Sequence, residues 1–416
     1  MARSNRRVFL GSSLGYLAAG ASLTPTVLVH AFSGAAYAPA TLFLTWRADP
    51  TTTMSIQWVD RESTQDRSIQ FAQLDAEIWQ SAPVLLKPFP ETDLKVHRCD
   101  LTGLLPGAEY QFQIGAGSPI YRFRTMPQKA TETIQFVSGG DSGIDVHAVK
   151  TNMNAARQEP RFALIGGDLA YDNGRSPETF IRFLENYSRY MVDPAGRLIP
   201  MLSCIGNHEV NGAYGKGREF SPHYLSVFDG LFSEKTFGVL DIGDYLSLVL
   251  LDTGHIEPIG GEQTAWLQKT LADRQDRPHL FIANHVPAYP SVRNPGQPGE
   301  TKGTGAENRK HWSPLFEQYK VDVVLEHHDH AFKRTVPLTD GLYDKNGVVY
   351  LGDGSWGKLR MPSPPEMRPY LAAASKAYHV TVHRLEGDQR YHVALDDTGK
   401  VADVCGSNGK RPFRRG

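Results

Sequence analysis

The 416-residue chain predicts an all-β sandwich followed by an α/β domain, and two observations divide it that way. Residues from about 40 to 126 alternate polar and apolar side chains in short runs, the period-two pattern of half-buried strands. From residue 134 onward, continuous short apolar runs alternate with helical patterns, as the buried strands of an α/β sheet do. A third observation concerns chemistry: five of these apolar runs each end on a side chain of metal-ligand type.

The elements follow in chain order. Residues 1–38 read as a targeting segment. Ser4-Asn5-Arg6-Arg7-Val8-Phe9-Leu10 resembles a twin-arginine export signal, a modestly apolar stretch covers 14–29, and Ala36-Tyr37-Ala38 has small-x-small form. Gly15, Gly20 and Pro25 break the apolar stretch, which argues against a membrane span. The expectation is export to the periplasm or the extracellular space, with the membrane met only through the signal. The sandwich is expected over 39–127, with strands at 42–46, 54–59, 96–101, 110–114 and 122–127, and with Trp46 and Trp58 in its core. Leu104-Leu105-Pro106-Gly107-Ala108-Glu109-Tyr110 resembles the tyrosine corner of fibronectin type III domains, in which the Tyr hydroxyl bonds back to nearby backbone.

The α/β domain is expected over 132–400. Run 134–137 leads into Gly139-Gly140-Asp141, and a helix follows with Val146, Val149, Met153 and Ala156 at helical spacing. Run 162–165 leads into Gly166-Gly167-Asp168-Leu169-Ala170-Tyr171, close to the ~30 residues of one βαβ unit further on. Ser176-Pro177-Glu178 opens a second helix with an N-cap and a first-turn proline, and Phe180, Leu184, Tyr187 and Met191 line its apolar face. Run 201–205 leads to Gly206-Asn207-His208-Glu209, run 280–283 to Asn284-His285, and run 321–325 to His327-His328-Asp329-His330. Further helices are expected at 262–271 and 313–319, a long Pro/Gly-rich loop at 287–305, and a hairpin of 378–385 and 390–395 at the sheet edge. Residues 401–416 read as a basic tail.

In α/β sheets, ligands bind beyond the carboxyl ends of the strands. Five loops carrying Asp, Asn, His and Tyr at that edge converge on one place, and what they offer is a pocket for two cations. Hard dications take oxygen and imidazole ligands, and a pair ~3.5–4 Å apart needs a carboxylate to bridge it. Each loop alone is ordinary: an Asp after Gly-Gly is a turn residue more often than a ligand. The joint order, each ligand type after its own apolar run, is what sets them apart.

Gly140-Asp141-Ser142-Gly143, Gly167-Asp168-Leu169-Ala170-Tyr171, Gly206-Asn207-His208-Glu209, Asn284-His285-Val286-Pro287 and His327-His328-Asp329-His330 stand as the motifs G-D-x-G, G-D-x-x-Y, G-N-H-[DE], a lone His and G-H-x-H. By them the chain is similar to the purple acid phosphatases of the binuclear metallophosphoesterase superfamily. Leu251-Asp252-Thr253, Gln263 with Trp266-Leu267, and Gly352-Asp353-Gly354 also look like family landmarks. The resemblance implies two packed mixed sheets flanked by helices, behind a fibronectin type III-like domain. It implies one metal on Asp141, Tyr171 and His330, another on Asn207, His285 and His328, and Asp168 bridging them. Tyr171 implies Fe(3+), which a phenolate favours, beside a divalent metal: Zn, Fe or Mn. The implied reaction is hydrolysis of a small phosphate monoester by a water that the metals ionise. His208 would bind the phosphoryl group and protonate the leaving alkoxide, with Glu209 orienting or acidifying His208.

Two features depart from the family pattern. His327 stands where a glycine opens G-H-x-H, and 289–294 lacks the histidines that plant enzymes carry there, leaving Tyr289 and Arg293 as candidates for substrate contact. A phosphodiesterase or nucleotide pyrophosphatase on the same scaffold fits these departures. A non-catalytic surface binding protein is the remoter alternative, against which the intact ligand set argues.

Composition excludes other classes. Lys+Arg (44) and Asp+Glu (45) nearly balance, so nothing calls for duplex nucleic acid or an anionic membrane as partner. Cys99, Cys204 and Cys405 show no C-x-x-C spacing and make neither a disulfide framework nor a thiolate site. No heptads or repeats are present. His97, His147, His223, His255, His279, His379, His383 and His392 take packing or solvated roles, and Lys358 and Arg360 solvated ones.

Overall fold

A computed structural model describes residues 37–62, 68–115, 117–232, 234–296 and 302–408. The twin-arginine-type segment, apart from Tyr37 and Ala38, lies outside the described residues, as does the basic stretch 409–416.

Eight strands form two four-stranded antiparallel sheets. Across the first run Phe43–Thr45, Met54–Asp60, Lys95–Leu101 and Leu85–Pro88; across the second, Gln80–Pro83, Ser68–Gln73, Glu109–Ile114 and Tyr121–Arg124. Alternation places Tyr110, Phe112 and Ile114 inward against Phe123. The Tyr110 hydroxyl accepts the Leu105 N–H at 2.8 Å, closing the corner that the sequence predicts. Gln80–Pro83 escapes the alternation reading because it is mostly exposed and buries no apolar face.

The second domain holds two mixed sheets. The first runs Met201–Ser203, Ala163–Ile165, Ile134–Gly139, His379–Glu386, Gln389–Asp396 and Val401–Asn408, its first three strands parallel. The second runs Gly238–Ile242, Leu246–Leu251, His279–Asn284, Val323–Glu326, Val349–Asp353, Phe332–Thr335 and Leu371–Ser375, with its second to fifth strands parallel. The sheets meet through Phe136, which stacks on His383 and tilts against Phe281. Each of the five ligand-bearing loops leaves the carboxyl end of one of these parallel strands.

Three expectations change. The hairpin of His379–Glu386 and Gln389–Asp396 is interior, because Val401–Asn408, expected as tail, pairs with it as the outermost strand. Its Val401 and Val404 are exposed, so no apolar pattern announces it. Helix Val146–Ala156 forms, capped by Asp145, but leaves Val146 61% and Met153 39% exposed. It buries Ala148, Thr151, Asn152 and Ala155 instead. Trp356 selects that face: its carbonyl accepts from Thr151 Oγ1 at 2.7 Å and its indole N–H donates to Asn152 Oδ1 at 2.8 Å. Helix Pro177–Tyr190 has the predicted N-cap, Ser176, and the predicted face.

The sandwich and the second domain share a continuous core. Trp46 meets Phe162 edge-on at 5.8 Å and Phe43 lies 6.0 Å from Phe228. Each fully buried phenylalanine contributes roughly 1.5–3 kcal/mol. Around this patch Gln57 Nε2 donates to the Val227 carbonyl, and Asp229 pairs with both Lys87 and Arg98 at 2.5 Å. The three cysteines are free, and no helix among the described residues is long and apolar enough to cross a membrane.

Candidate metal centre

The loops beyond the parallel strands are bent sharply. Asp141, Asp168, Tyr171, His328 and His330 have φ of 57°, 54°, 62°, 70° and 59°, the left-handed region that costs a non-glycine residue roughly 1–2 kcal/mol. Backbone held this way at one rim is the pattern of a functional site. His327 needs no such φ, so the glycine it replaces is not required for the turn. Its ring fills space left by two other glycines: a Cβ at Gly166 would stand 1.9 Å from His327 Cε1, and one at Gly140 2.6 Å from its Cδ2. His327 Nδ1 bonds to the Asn284 carbonyl at 3.0 Å.

Two groups of side chains face each other across Asp168. In one, Asp141 Oδ1 lies 3.1 Å from Tyr171 Oη and 3.0 Å from His330 Nε2, and those two atoms are 3.1 Å apart. In the other, His285 Nε2 lies 3.1 Å from Asn207 Oδ1, 3.1 Å from His328 Nδ1 and 3.3 Å from Asp168 Oδ2. Asp141, Asp168, His285 and His328 each offer an atom within 4.8 Å of the others, a group able to hold a metal ion.

The donor chemistry fits cations. His285 Nδ1 donates to the Gly166 carbonyl at 2.9 Å, so Nε2 is the nitrogen that faces the oxygens of Asn207 and Asp168 and that, once deprotonated, can offer a lone pair to a cation. Asp168 Oδ2 is buried, 3.3 Å from His285 Nε2 and 3.9 Å from His208 Nε2. Oxygens crowded in this way repel unless a positive charge lies among them, whether a proton on His285 or a metal ion. Separations near 3 Å are those of neighbouring ligands around a six-coordinate ion with bonds of about 2.1 Å.

Histidine, rather than lysine or arginine, stands against these buried carboxylates. Burial opposes ionisation of Asp168, but His285, His208 and His328 outweigh it and hold the carboxyl well below its ordinary range. Burial disfavours charge on His285 too, and Asp168 beside it wins, raising it to about 9. Burial, then Asp141 and Asp168, push the Tyr171 phenol well above its ordinary value. A cation at this phenol would reverse that preference.

Asn207 and His208 sit in the single turn Asn207–Glu209, Asn207 Oδ1 beside His285 Nε2 and His208 Nδ1 against Asn173 Oδ1. The His208 N–H donates to Asp168 Oδ1 at 2.8 Å, and its ring, 33% exposed, lies 4.3 Å from the Tyr171 ring. Glu209 departs from its expected role, since its carboxylate does not orient His208. It accepts from the backbone N–H groups of Asp168, Leu169 and Gly206 at 2.8, 2.7 and 2.8 Å, tying two ligand loops together. Burial, then the charge of Asp168, raises its pKa to about 8. Asn173 takes the part expected of Glu209, its Oδ1 bonded to His208 Nδ1.

Tyr289 does not reach the rim; it is buried against Tyr350 and Tyr370. Arg293 does come close, bonding to the His328 carbonyl and, at 3.1 Å, to Asp329 Oδ1. Lys358 also belongs to the rim, its Nζ 4.8 Å from the centre of the Tyr171 ring and 3.2 Å from Asp145 Oδ2. His255, given a packing role above, lies with its ring 5.6 Å from that of His285. The available signal was a sixth apolar run, Leu246–Leu251, ending just before Asp252. For Asn173 the signal was its place two residues beyond Tyr171.

Comparison with known proteins agrees with this geometry. Residues 39–125 match the family of the purple acid phosphatase N-terminal domain, and residues 140–332 match the calcineurin-like phosphoesterases. Human acid phosphatase type 7 is 26% identical over 420 aligned positions, covering 88% of this chain and 90% of that protein. Purple acid phosphatase 15 of Arabidopsis thaliana is 27% identical, over 62% of this chain and 53% of that protein. The solved purple acid phosphatase from yellow lupin (Lupinus luteus) seeds shares the fold with TM-score 0.74 at 18% identity, covering 91% of this chain and 75% of that one. PhoD shares it with TM-score 0.61 at 12% identity, over 91% and 94%. The family is one of binuclear metal-dependent phosphatases, and the buried Asp/His cluster suggests two metals. This chain is a purple acid phosphatase-like metallophosphoesterase, a hydrolase that joins a purple acid phosphatase N-terminal domain to a calcineurin-like phosphoesterase domain.

Proposed function

We propose that the protein hydrolyses small phosphate monoesters after export, with Fe(3+) held by Asp141, Tyr171 and His330. A divalent ion (Zn, Fe or Mn) would be held by Asn207, His285 and His328, with Asp168 shared between the two sites. The observation that carries this reading is the convergence of Asp141, Asp168, His285 and His328, all buried and each offering an atom within 4.8 Å of the others. The ions, when bound, supply Lewis acidity at the phosphoryl oxygens and a water of lowered pKa. The phenol of Tyr171 favours ferric iron at its site. The Arg6-Arg7 segment supports export.

The chain's own residues do the remaining work. His208, partly exposed above Tyr171, meets the phosphoryl group and gives a proton to the leaving alkoxide. Asn173 fixes its ring, and Glu209 keeps the Asp168 and Asn207 loops in register. Arg293 and Lys358 place positive charge on the walls. With water as the only attacking group, a chiral phosphate inverts at phosphorus.

Elemental analysis with a visible spectrum, joined to rates on aryl monoester, aryl diester and nucleotide substrates, tests the reading. Two metals per chain, a tyrosinate-to-iron band and faster monoester turnover are expected. Faster diester or nucleotide turnover would make it a phosphodiesterase or nucleotide pyrophosphatase. No hydrolysis by metal-replete protein would leave a binding protein.

A further inference from the structure

We infer that the N-terminal sandwich takes part in positioning the reactive groups. Its Phe89 and Glu91, acting through the buried His223 and Asp172, hold the turn that presents Tyr171 to the metal site and steadies His208. The inference rests on the roles proposed above for Tyr171 and His208.

Three consecutive residues carry it. Tyr171 and Asn173 both have left-handed backbone, φ 62° and 57°. The Tyr171 hydroxyl stands 3.1 Å from both Asp141 and His330, and Asn173 holds His208 twice, through its side chain and through its N–H, which donates to the His208 carbonyl at 2.9 Å. Asp172 lies between them, is buried, and sends its carboxylate to another partner: Oδ2 accepts from His223 Nδ1 at 2.7 Å. The Asp172 carbonyl accepts the N–H groups of Arg175 and Ser176, at 3.0 and 3.2 Å, which seats the turn on the start of helix Pro177–Tyr190.

From His223 the line continues into the sandwich. His223 is fully buried, and its Nε2 lies 3.5 Å from Glu91 Oε2. The Phe89 ring is 5.7 Å from His223 and 6.3 Å from Phe180 of the same helix. Phe89 and Glu91 belong to the turn between Leu85–Pro88 and Lys95–Leu101, itself closed by the Phe89 N–H to Leu94 carbonyl bond at 3.0 Å. An aspartate–imidazole hydrogen bond this short, with the rings of Phe89 and Phe180 packed against the imidazole, is stiff in a way that a surface contact is not. Displacement of His223 frees Asp172, and Asp172 cannot move without Tyr171 and Asn173 on either side of it.

The test uses the full chain loaded with zinc and three variants: Glu91→Gln at an exposed carboxylate, His223→Asn, which keeps a donor near Nδ1, and His223→Ala. Imidazole NMR signals of labelled histidine, with His208 assigned by its own replacement, report positioning without reference to activity. Turnover of an alkyl and an activated aryl monoester reports the proton donor, because only the alkyl leaving group needs it. His223→Ala is expected to shift the His208 signals and to lower alkyl ester kcat about tenfold or more, within the 10–100-fold range of residues that orient a ligand. Aryl ester kcat falls less, His223→Asn recovers most of both, and Glu91→Gln gives a smaller shift in the same direction. If His223→Ala does not fold, Glu91→Gln decides. His208 signals that ignore these variants, or equal losses on both esters, overturn the inference. A wild-type protein that hydrolyses neither ester would sink the proposed function, while the NMR signals would still decide the positioning.

Discussion

Carboxylates are held in two different ways in this molecule, and the contrast separates structure from site. At the seam between the domains, Asp229 meets Lys87 and Arg98 at 2.5 Å each, and in the second domain the fully buried Glu326 meets Lys333 at 2.6 Å. These charges are balanced by the chain itself. At the rim, Asp141 and Asp168 are fully buried, yet among the described residues neither pairs with a lysine or arginine; they face histidine, tyrosine and asparagine instead. Burying carboxylates without a fixed cation beside them is expensive. Here two carboxylates stand side by side on left-handed backbone with only histidine to offset them, and histidine can give up its proton to a metal ion as lysine and arginine cannot.

The contrast breaks first at Asp168. Asp168→Asn should remove the bridge, lower the metal content and cut phosphomonoester kcat/KM by more than the about 10–100-fold typical of residues behind the ligands. Wild-type protein should lose unfolding temperature when a chelator strips it, since bound metal stabilises only the folded state. In Asp168→Asn that loss should shrink, as read by calorimetry with and without chelator. A variant that keeps two metals and full turnover would place the site elsewhere.

Lys333→Met tests the balanced kind. It leaves Glu326 buried without its cation, which costs about 3–5 kcal/mol. Glu326 also accepts the Ala288 N–H at 2.6 Å and Lys333 bonds the Tyr289 carbonyl, so the loop after His285 should loosen and turnover should fall. Denaturant unfolding of Lys333→Met beside the double variant Lys333→Met/Glu326→Leu sharpens the point. The double variant should regain most of the stability, because a balanced pair can be replaced by apolar packing. No double variant of that kind is expected to rescue Asp168.

Much of this was legible in the sequence for one physical reason: strands buried on both faces read as continuous apolar runs, and ligands collect beyond their ends. Asp141, Asp168, Tyr171, Asn207, His285, His328 and His330 all follow such runs, and the structure brings them together. Directions of side chains were not legible. Glu209 turns to backbone N–H groups rather than to His208, and Asn173 takes its place on a turn that begins with left-handed Tyr171, a conformation that no tyrosine announces. Val146 is exposed because Trp356, distant in the chain, selects the opposite face of its helix. Val401–Asn408 was hidden for the same reason, since its pairing with Gln389–Asp396 rather than its own pattern makes it a strand. His383 and His392, 2.7 Å apart beside Ser138, have the packing role assigned to them.

The smallest expected effect lies at the seam. Burial favours the protonated form of Asp229, but its bonds from Arg98 and Lys87 outweigh burial and hold its pKa below the ordinary 3.8. A carboxyl depressed in the folded state contributes stability above its unfolded pKa and loses it as pH falls through the folded value. Asp229→Asn should therefore destabilise the protein by about 1–3 kcal/mol at neutral pH, the range for a hydrogen bond to a charged group. The side chain is 30% exposed, which favours the lower end. The gap between wild type and variant should hold down to about pH 4 and close below it, as urea midpoints measured across that range would show. Monoester turnover at neutral pH should stay within about twofold, as expected of a site whose charge is complete without the metals. A gap that persisted to the lowest pH would mean that Asp229 acts through packing rather than charge, and that the seam is held by Trp46, Phe43 and their partners alone.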